Sequence, residues 1–527
     1  MLTSVRILLG TLCALPSAAI AGPAPTFSAD IAPIIFSNCA VCHRAGEAAP
    51  FSLLDYSQVK KRGKQIAEVT ADRLMPPWKI AESDFAFQHD RRLASPQIEL
   101  IQQWVTAGMP EGNPALTPSP PAFPSAWPLG EPDLVVKMDR VFPVPAEGRD
   151  IYRNFVVPLN LPEDRWVRAI AFRPAAKSVV HHSLFFFDTT GSARELDAQD
   201  ELPGYGNRMN FGGRGGRGGR FDASFAGDNP EDAQFGGLGG WALGGNAREL
   251  PDGLAMRLPK GADLILSTHF HPSGKAEGEA STVGLYFAKQ PPTKLHTGIQ
   301  LPPLFGALHG LEIPAGEREY VMEDSFTLPV EVRAFGLGAH AHYLAKTMKL
   351  TATLPDGATK TIAWIKDWDF AWQEQYLFAD YVTLPRGTKL AVRISYDNSA
   401  DNPRNPTQPP KPVKWGEQST DEMGSMTLLV VPTQDHELTR LKIAYRSHLR
   451  DELAERVRRR WTASGGQGRL DAGGGADKNG DGKITRDELP ERQRAMFDRL
   501  DANQNGVLDE AEVRELQKML RAGGEGQ

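Results

Sequence analysis

Between residues 132 and 434 the chain repeats one pattern: short runs that are apolar, or alternate apolar with polar, each closed by Gly, Pro or Asp. The clearest runs are 166–172, 179–187, 264–270, 330–337, 348–354 and 389–396. A side-chain period of two turns one face of each run inward, and no long amphipathic helical pattern interrupts the series. The pattern predicts antiparallel sheets stacked as sandwiches. The 51 glycines and 41 prolines in 527 residues supply the turns that many short strands need.

That length is enough for several domains. The formal net charge of −6 carries no basic stripe, which excludes a nucleic-acid footprint. Arg6, the apolar run 7–20 and the small-x-small triplet Ala19-Ile20-Ala21 predict a secretory signal peptide over 1–21. The run is short and broken by Thr11 and Pro16, which argues against a membrane anchor. The chain is therefore read as periplasmic or secreted, with no transmembrane segment after signal removal. Cys13 leaves with the signal, and the rest of the chain keeps only Cys39 and Cys42. An exported chain with no disulfide framework but one close cysteine pair uses that pair for something else.

Cys39-Ala40-Val41-Cys42-His43 is the attachment pattern for haem c. Two thiols three positions apart can reach both haem vinyls, and the adjacent His43 can ligate the iron. Helical periodicity flanks the motif at 27–36 and 99–107, predicting a small all-α cytochrome c domain over 25–118. Met75 is the expected second axial ligand, because Pro76 and Pro77 hold it on an extended loop. Met109 and His89 are its rivals. The proline-rich stretch 113–127 reads as a stiff linker.

The last segment begins with a charged helical pattern over 437–461, within a helical linker assigned to 435–470 and expected to lead away from the sandwich. Over 471–527 two EF-hand calcium loops follow. The first offers Asp477, Asn479, Asp481, the Lys483 carbonyl and Glu488; the second offers Asp501, Asn503, Asn505, the Val507 carbonyl and Glu512. Gly482 and Gly506 stand at the sixth positions, and Ile484 and Leu508 at the eighth are expected to pair the loops. A structural role for calcium is expected, not signalling.

The histidines within the repeated-strand region cluster. His340 and His342 alternate along an expected strand, so their rings leave one face and can share a metal. His181 and His182 are adjacent and can do so only where a strand twists, ends or bulges. His269 and His271 have same-face spacing, and periodicity does not choose between them. Met423, in a polar setting, would favour Cu(I) if it stood beside two imidazoles, but nothing in the sequence places it there. The glycine-dominated stretch 204–245, with Arg214, Arg217 and Arg220, reads as a surface insertion.

Four motifs in order give the region 132–434 a specific resemblance. They are His181-His182-Ser183-Leu184, 264–270 ending in His269-Phe270, 340–346 beginning His340-Ala341-His342, and Ser419-Thr420-Asp421-Glu422-Met423. Together they resemble the copper type II, ascorbate-dependent monooxygenases, the family of peptidylglycine alpha-hydroxylating monooxygenase and dopamine beta-hydroxylase. The resemblance implies two jelly-roll-like sandwich domains, taken as 132–290 and 291–434, facing each other across a cleft. It implies two unlike coppers: one held by His181, His182 and His269 that stores an electron, and one held by His340, His342 and Met423 where dioxygen meets a small substrate and a C–H bond is hydroxylated. His269 takes the motif position, with His271 expected to orient or tune that site from outside.

Three departures from the animal enzymes stand out. The region has no cysteines; Gly338 replaces an arginine that binds a peptide carboxylate; and Ser425 and Thr427 replace substrate-binding asparagine and tyrosine. Peptide amidation is therefore not expected. The fused haem module resembles bacterial members, in which haem could replace ascorbate as the immediate donor, supplied by another cytochrome or by ascorbate itself. The competing expectation is an exported haem and copper electron-transfer or copper-binding protein without hydroxylase activity.

Overall fold

The computed structural model describes residues 24–463, except 46, 48, 124–126, 128, 207–237, 243, 244, 246, 248, 252 and 417, together with 484–488, 501 and 506–508. The expected signal peptide and most of the glycine-rich stretch lie outside the described residues. The chain divides into two units: Met1–Ala81 with Phe87–Pro292, and Glu82–Ala86 with Thr293–Gln527. Short helices and several antiparallel sheets make up both. No helix among the described residues is long and apolar enough to cross a membrane.

The first unit opens with three helices: α1 (Ala32–Asn38), α2 (Tyr56–Ala71) and α3 (Ser95–Thr106). A π-helical turn, Phe27–Ile31, precedes α1, so the first helical pattern is split between two geometries. Asp55 caps α2 by accepting from the Gln58 N–H, and Pro96 opens α3 where no N–H is needed. Phe27, Ile31, Ile35, Val59, Ile66, Ile101 and Trp104 form one core, with Cys39 packed at its edge.

Three antiparallel sheets follow in the same unit among the described residues, of five, four and two strands. The strands that matter for the histidines are β1 (Ile151–Pro158), β2 (Arg165–Arg173), β3 (Val180–Asp188), β4 (Asp263–Phe270) and β5 (Thr282–Phe287). β4 lies between β1 and β3 in a five-stranded sheet, while β2 and β5 pair in a four-stranded one. Alternate residues from both sheets, including Phe155, Val167, Phe185, Leu264, Leu266 and Val283, meet in one core.

In the second unit, β6 (Thr297–Leu301), β8 (Val332–Ala341), β10 (Gln375–Leu384) and β12 (Gly424–Pro432) form one sheet in the order β6-β12-β8-β10. β7 (Tyr320–Thr327), β9 (Ala345–Thr353) and β11 (Lys389–Tyr396) belong to the other. Glu82–Ala86 joins this unit: the Asp84 N–H donates to Thr361 O and the Ala379 N–H to Ala86 O.

The long helix α4 (Leu438–Ala463) corrects one expectation. It does not lead away from the sandwich but packs back on it. Leu441 is fully buried, the Tyr445 hydroxyl donates to Gln300 O at 2.7 Å, and His448 Nε2 lies 3.1 Å from Asp324 Oδ2. The inward face carries Tyr, His and Glu with polar partners, so apolar periodicity gives it no strong signal.

Candidate metal centres

At the haem motif, α1 ends at Asn38 and the chain turns through Cys39 to His43. His43 Nδ1 lies 3.2 Å from Phe51 O, and the His43 and Phe51 rings are tilted with centroids 4.6 Å apart. That contact assigns the proton to Nδ1 and leaves Nε2 as the donor atom, the arrangement an axial imidazole needs. Cys39 and Cys42 are half-buried and not joined in a disulfide. Burial, with the Cys42 sulfur adding to it, pushes the Cys39 thiol up to about 12. This pair of thiols and oriented imidazole fit haem attachment. Met75 follows α2 and is half-buried. Of its rivals, Met109 packs its sulfur over Gly63 at the helical core, and His89 is exposed.

The three-imidazole cluster depends on one irregularity. β4 pairs with β3 so that His269 faces His182, but the next pair is Phe270 with Val180. His181 is therefore the extra residue of a β-bulge, which turns its ring to the same side as His182. The donor atoms of His181, His182 and His269 all lie within 4.8 Å of one another. Ring centroids are 4.9 Å apart for His181–His269 and for His182–His269.

Outer groups orient the cluster. His269 Nε2 lies 3.0 Å from Asp150 Oδ2, which directs Nδ1 to the cluster, and its ring stacks on Tyr152 at 4.3 Å. Burial lowers the His269 pKa, against the pull of Asp150, and favours the neutral, ligating form. The structure also separates His269 from His271. The His269 side chain is 0% exposed; that of His271 is 60% exposed and touches the other oxygen of Asp150 at 2.8 Å. His271 thus stands behind Asp150, outside the cluster.

The second group lies where β8 meets β12. The register runs His340 with Ser425 and Ala341 with Gly424, which leaves His342 and Met423 at the first positions beyond the paired strands. β8 ends at Ala341, so His342 lies just past the strand and not within it, as the alternation had suggested. His340 Nε2 is 3.2 Å from Met423 Sδ, and the His340 and His342 rings are 5.4 Å apart. His340 Nδ1 meets Gln373 Oε1, and His342 Nδ1 lies 3.2 Å from Asp421 O. Both rings therefore present Nε2.

Sequence reasoning had missed Glu422, although it sits inside the fourth motif. Its side chain is buried and accepts from the backbone N–H groups of His342 (2.6 Å), Leu344 (2.8 Å) and Met423 (2.9 Å). Burial pushes its carboxyl up to about 8 against those donors. The carboxylate ties both ligand-bearing segments together. Gly424 allows the close approach: a Cβ there would meet the Tyr396 hydroxyl.

Of the calcium loops, Asp477, Asn479, Asp481, Lys483, Asn503, Asn505 and Glu512 lie outside the described residues, as does the Glu488 side chain. Among those described, Ile484–Thr485 pairs antiparallel with Val507–Leu508, joining the two eighth positions. The Gly506 N–H donates to Asp501 Oδ2 at 2.8 Å, closing the second loop.

Residues 476–490 and 494–517 match the EF hand family. No curated protein matches the chain. Among solved structures, the chain is similar at 9% identity to an infectious bursal disease virus VP2 subviral particle, over 56% of this chain and 70% of that one, with a TM-score of 0.17. It is similar at 10% identity to a peptide-N(4)-(N-acetyl-beta-D-glucosaminyl) asparagine amidase, over 57% and 97% of the two chains, with a TM-score of 0.25. The major capsid protein P2 of bacteriophage PM2 matches at 8% identity over 48% and 99%, with a TM-score of 0.16. At these TM-scores the likenesses carry no argument about this chain.

Proposed function

We propose that this chain is an exported copper-dependent monooxygenase that hydroxylates a C–H bond of a small substrate with dioxygen. In this reading it is related to the copper type II, ascorbate-dependent monooxygenases, with jelly-roll-like domains at 132–290 and 291–434. A cytochrome c domain (25–118) precedes them, and a helical linker (435–470) and a calcium-binding EF-hand pair (471–527) follow. The observation that carries the reading is the pairing of unlike donor sets. One is three imidazoles; the other is two imidazoles with a thioether 3.2 Å from one of them.

The donor sets fit copper in two different tasks. An all-imidazole set holds either oxidation state, and a thioether favours Cu(I). Copper bound by His340, His342 and Met423 would supply dioxygen activation. The chain's own residues do the positioning. Gln373 and Asp421 O orient the two imidazoles, and Glu422 fixes the backbone under His342 and Met423. Phe305 packs edge-on to His340 at 5.1 Å and limits water on that side. At the other cluster Asp150 holds His269 in one tautomer. Haem attached at Cys39 and Cys42 and ligated by His43 and Met75 would supply electrons, delivered to the haem by a further cytochrome or by ascorbate.

The test is metal analysis with oxygen-consumption screening of the reduced protein against candidate substrates. The expected result is two coppers and one haem per chain, with dioxygen uptake matched to hydroxylated product. Bound copper and haem without a dioxygen-dependent product would assign the chain to electron transfer instead. Failure to take up copper would end the reading.

A further inference from the structure

The inward face of α4 brings a second set of ligand-type side chains together, apart from both histidine groups above. Glu452 follows His448 by one helical turn, so both point at the sandwich. There they meet Asp324 of β7 and His309, the last residue of the short helical segment Pro303–His309. Donor atoms of His309, Asp324 and Glu452 all lie within 4.8 Å of one another. Their side chains are 11%, 4% and 19% exposed.

An ion-pair network accounts for part of this cluster. Asp324 Oδ2 is held by His448 Nε2 at 3.1 Å, and Asp324 Oδ1 accepts from the Ser325 N–H at 2.7 Å. The rest is left over. His309 Nε2 lies 3.2 Å from Glu323 O and 3.5 Å from Glu452 Oε2. His309 Nδ1 and Glu452 Oε2 are buried and have no hydrogen-bond partner among the described residues. The half-exposed Arg459 lies 3.9 Å from Glu452 Oε2. A buried imidazole nitrogen and a buried carboxylate oxygen left in this state are costly, and a cation among these donors would satisfy the Glu452 oxygen.

We propose that His309, Asp324 and Glu452 form a third metal site, for a borderline divalent cation of the zinc class. One imidazole and two carboxylates suit such an ion. An all-oxygen set would favour calcium or magnesium, and no thioether or thiolate is present to select Cu(I). Three protein donors leave one tetrahedral position for water. His448 is a positioning residue: it holds Asp324 Oδ2 and so fixes the carboxylate beside His309 and Glu452.

The ion would fasten three separate pieces of the second unit: β7, α4 and Pro303–His309. The last piece is backbone under strain, with Leu304 and Phe305 at φ 52° and 53°. Phe305 is also the residue that packs on His340. Filling this site would therefore hold the loop that walls one side of the thioether-containing group, whatever that group binds.

The experiment is a Co2+ titration of the full chain in excess calcium, which occupies the oxygen-only loops. A parallel titration uses the His181→Ala/His340→Ala variant, so that cobalt at the other imidazoles is not counted. The expected result is one equivalent of tightly bound Co2+ with ligand-field absorption in the visible, displaced by Zn2+, in the His181→Ala/His340→Ala variant, with the same equivalent included in any larger uptake by the unmodified chain. His309→Asn and Glu452→Gln should abolish the band, while His448→Gln should weaken binding about 10- to 100-fold without abolishing it. Circular dichroism identifies any variant that fails to fold; Glu452→Gln, on a helix and nearly isosteric, is the variant least at risk. No saturable uptake, or uptake indifferent to both His309→Asn and Glu452→Gln, would overturn the proposal.

Discussion

His340 Nε2 lies 3.2 Å from Met423 Sδ although 83 residues separate them. Antiparallel pairing of β8 with β12 creates this proximity, and Glu422 secures it by accepting from the N–H groups on either side. Removing the thioether should therefore remove one metal site and spare the other. If the proposed function holds, Met423→Ala lowers copper content from two per chain to one and abolishes hydroxylation. Elemental analysis with an activity assay checks both; a variant keeping two tightly held coppers would count against this ligand set.

Asp150 bridges His269 and His271. Asp150→Asn keeps the shape but weakens the hold on the His269 tautomer. Copper affinity at the three-imidazole cluster should fall about 10- to 100-fold, with the Met423 site unchanged. His271→Ala should have a smaller effect, since His271 touches only the far oxygen. Competition titration with a Cu(I) chelator separates these outcomes.

Glu422→Ala would strand the backbone N–H groups of His342, Leu344 and Met423 in a buried place. Leaving such donors unmet costs roughly 1–3 kcal/mol, so the second unit should lose at least about 3 kcal/mol over the set. Glu422→Gln keeps an acceptor and should lose less. Denaturant unfolding of the metal-free protein reads the difference. Equal stability of Glu422→Ala and wild type would show that the carboxylate does not tie the segments.

Burial, with Lys442 nearby adding to it, lowers His296 to about 4 from its ordinary value near 6.5. A depressed histidine contributes stability above its unfolded pKa, and that contribution is lost as pH falls toward the folded value. The second unit should therefore lose about 3 kcal/mol between pH 6.5 and 4 from this residue. His296→Met, which cannot titrate, should show a flatter stability profile across that window. Urea melts at several pH values make the comparison, and parallel profiles would refute the assignment.

Cys39 packs at the edge of the helical core, whose buried residues come mainly from the helices themselves. Replacing Cys39 and Cys42 with alanine should prevent covalent haem retention on a denaturing gel while the helices still form. Haem staining together with circular dichroism reads both properties.

Much of the layout was legible in the chain. Period-two runs mark strands because a half-buried sheet needs alternate apolar residues, and the runs at 264–270 and 389–396 are strands in the structure. The two eighth positions of the calcium loops pair as their spacing suggests. What sequence periodicity left open was settled by particular local geometry. The bulge at His181 gives adjacent histidines one side, and burial separates His269 from the exposed His271. The helix after residue 437 turned back on the sandwich because polar groups on its inner face found partners, which apolar patterning does not report.

Sequence by itself determined which donor types are available and the local geometry that a few residues can impose: the spacing of the cysteine pair, the EF-hand loops and the strands themselves. Tertiary structure alone decided which distant donors meet. Register between strands far apart in sequence is set by packing and hydrogen bonding over the whole sheet, so Met423 reaches His340, and Glu452 reaches His309, only once the sheets have formed.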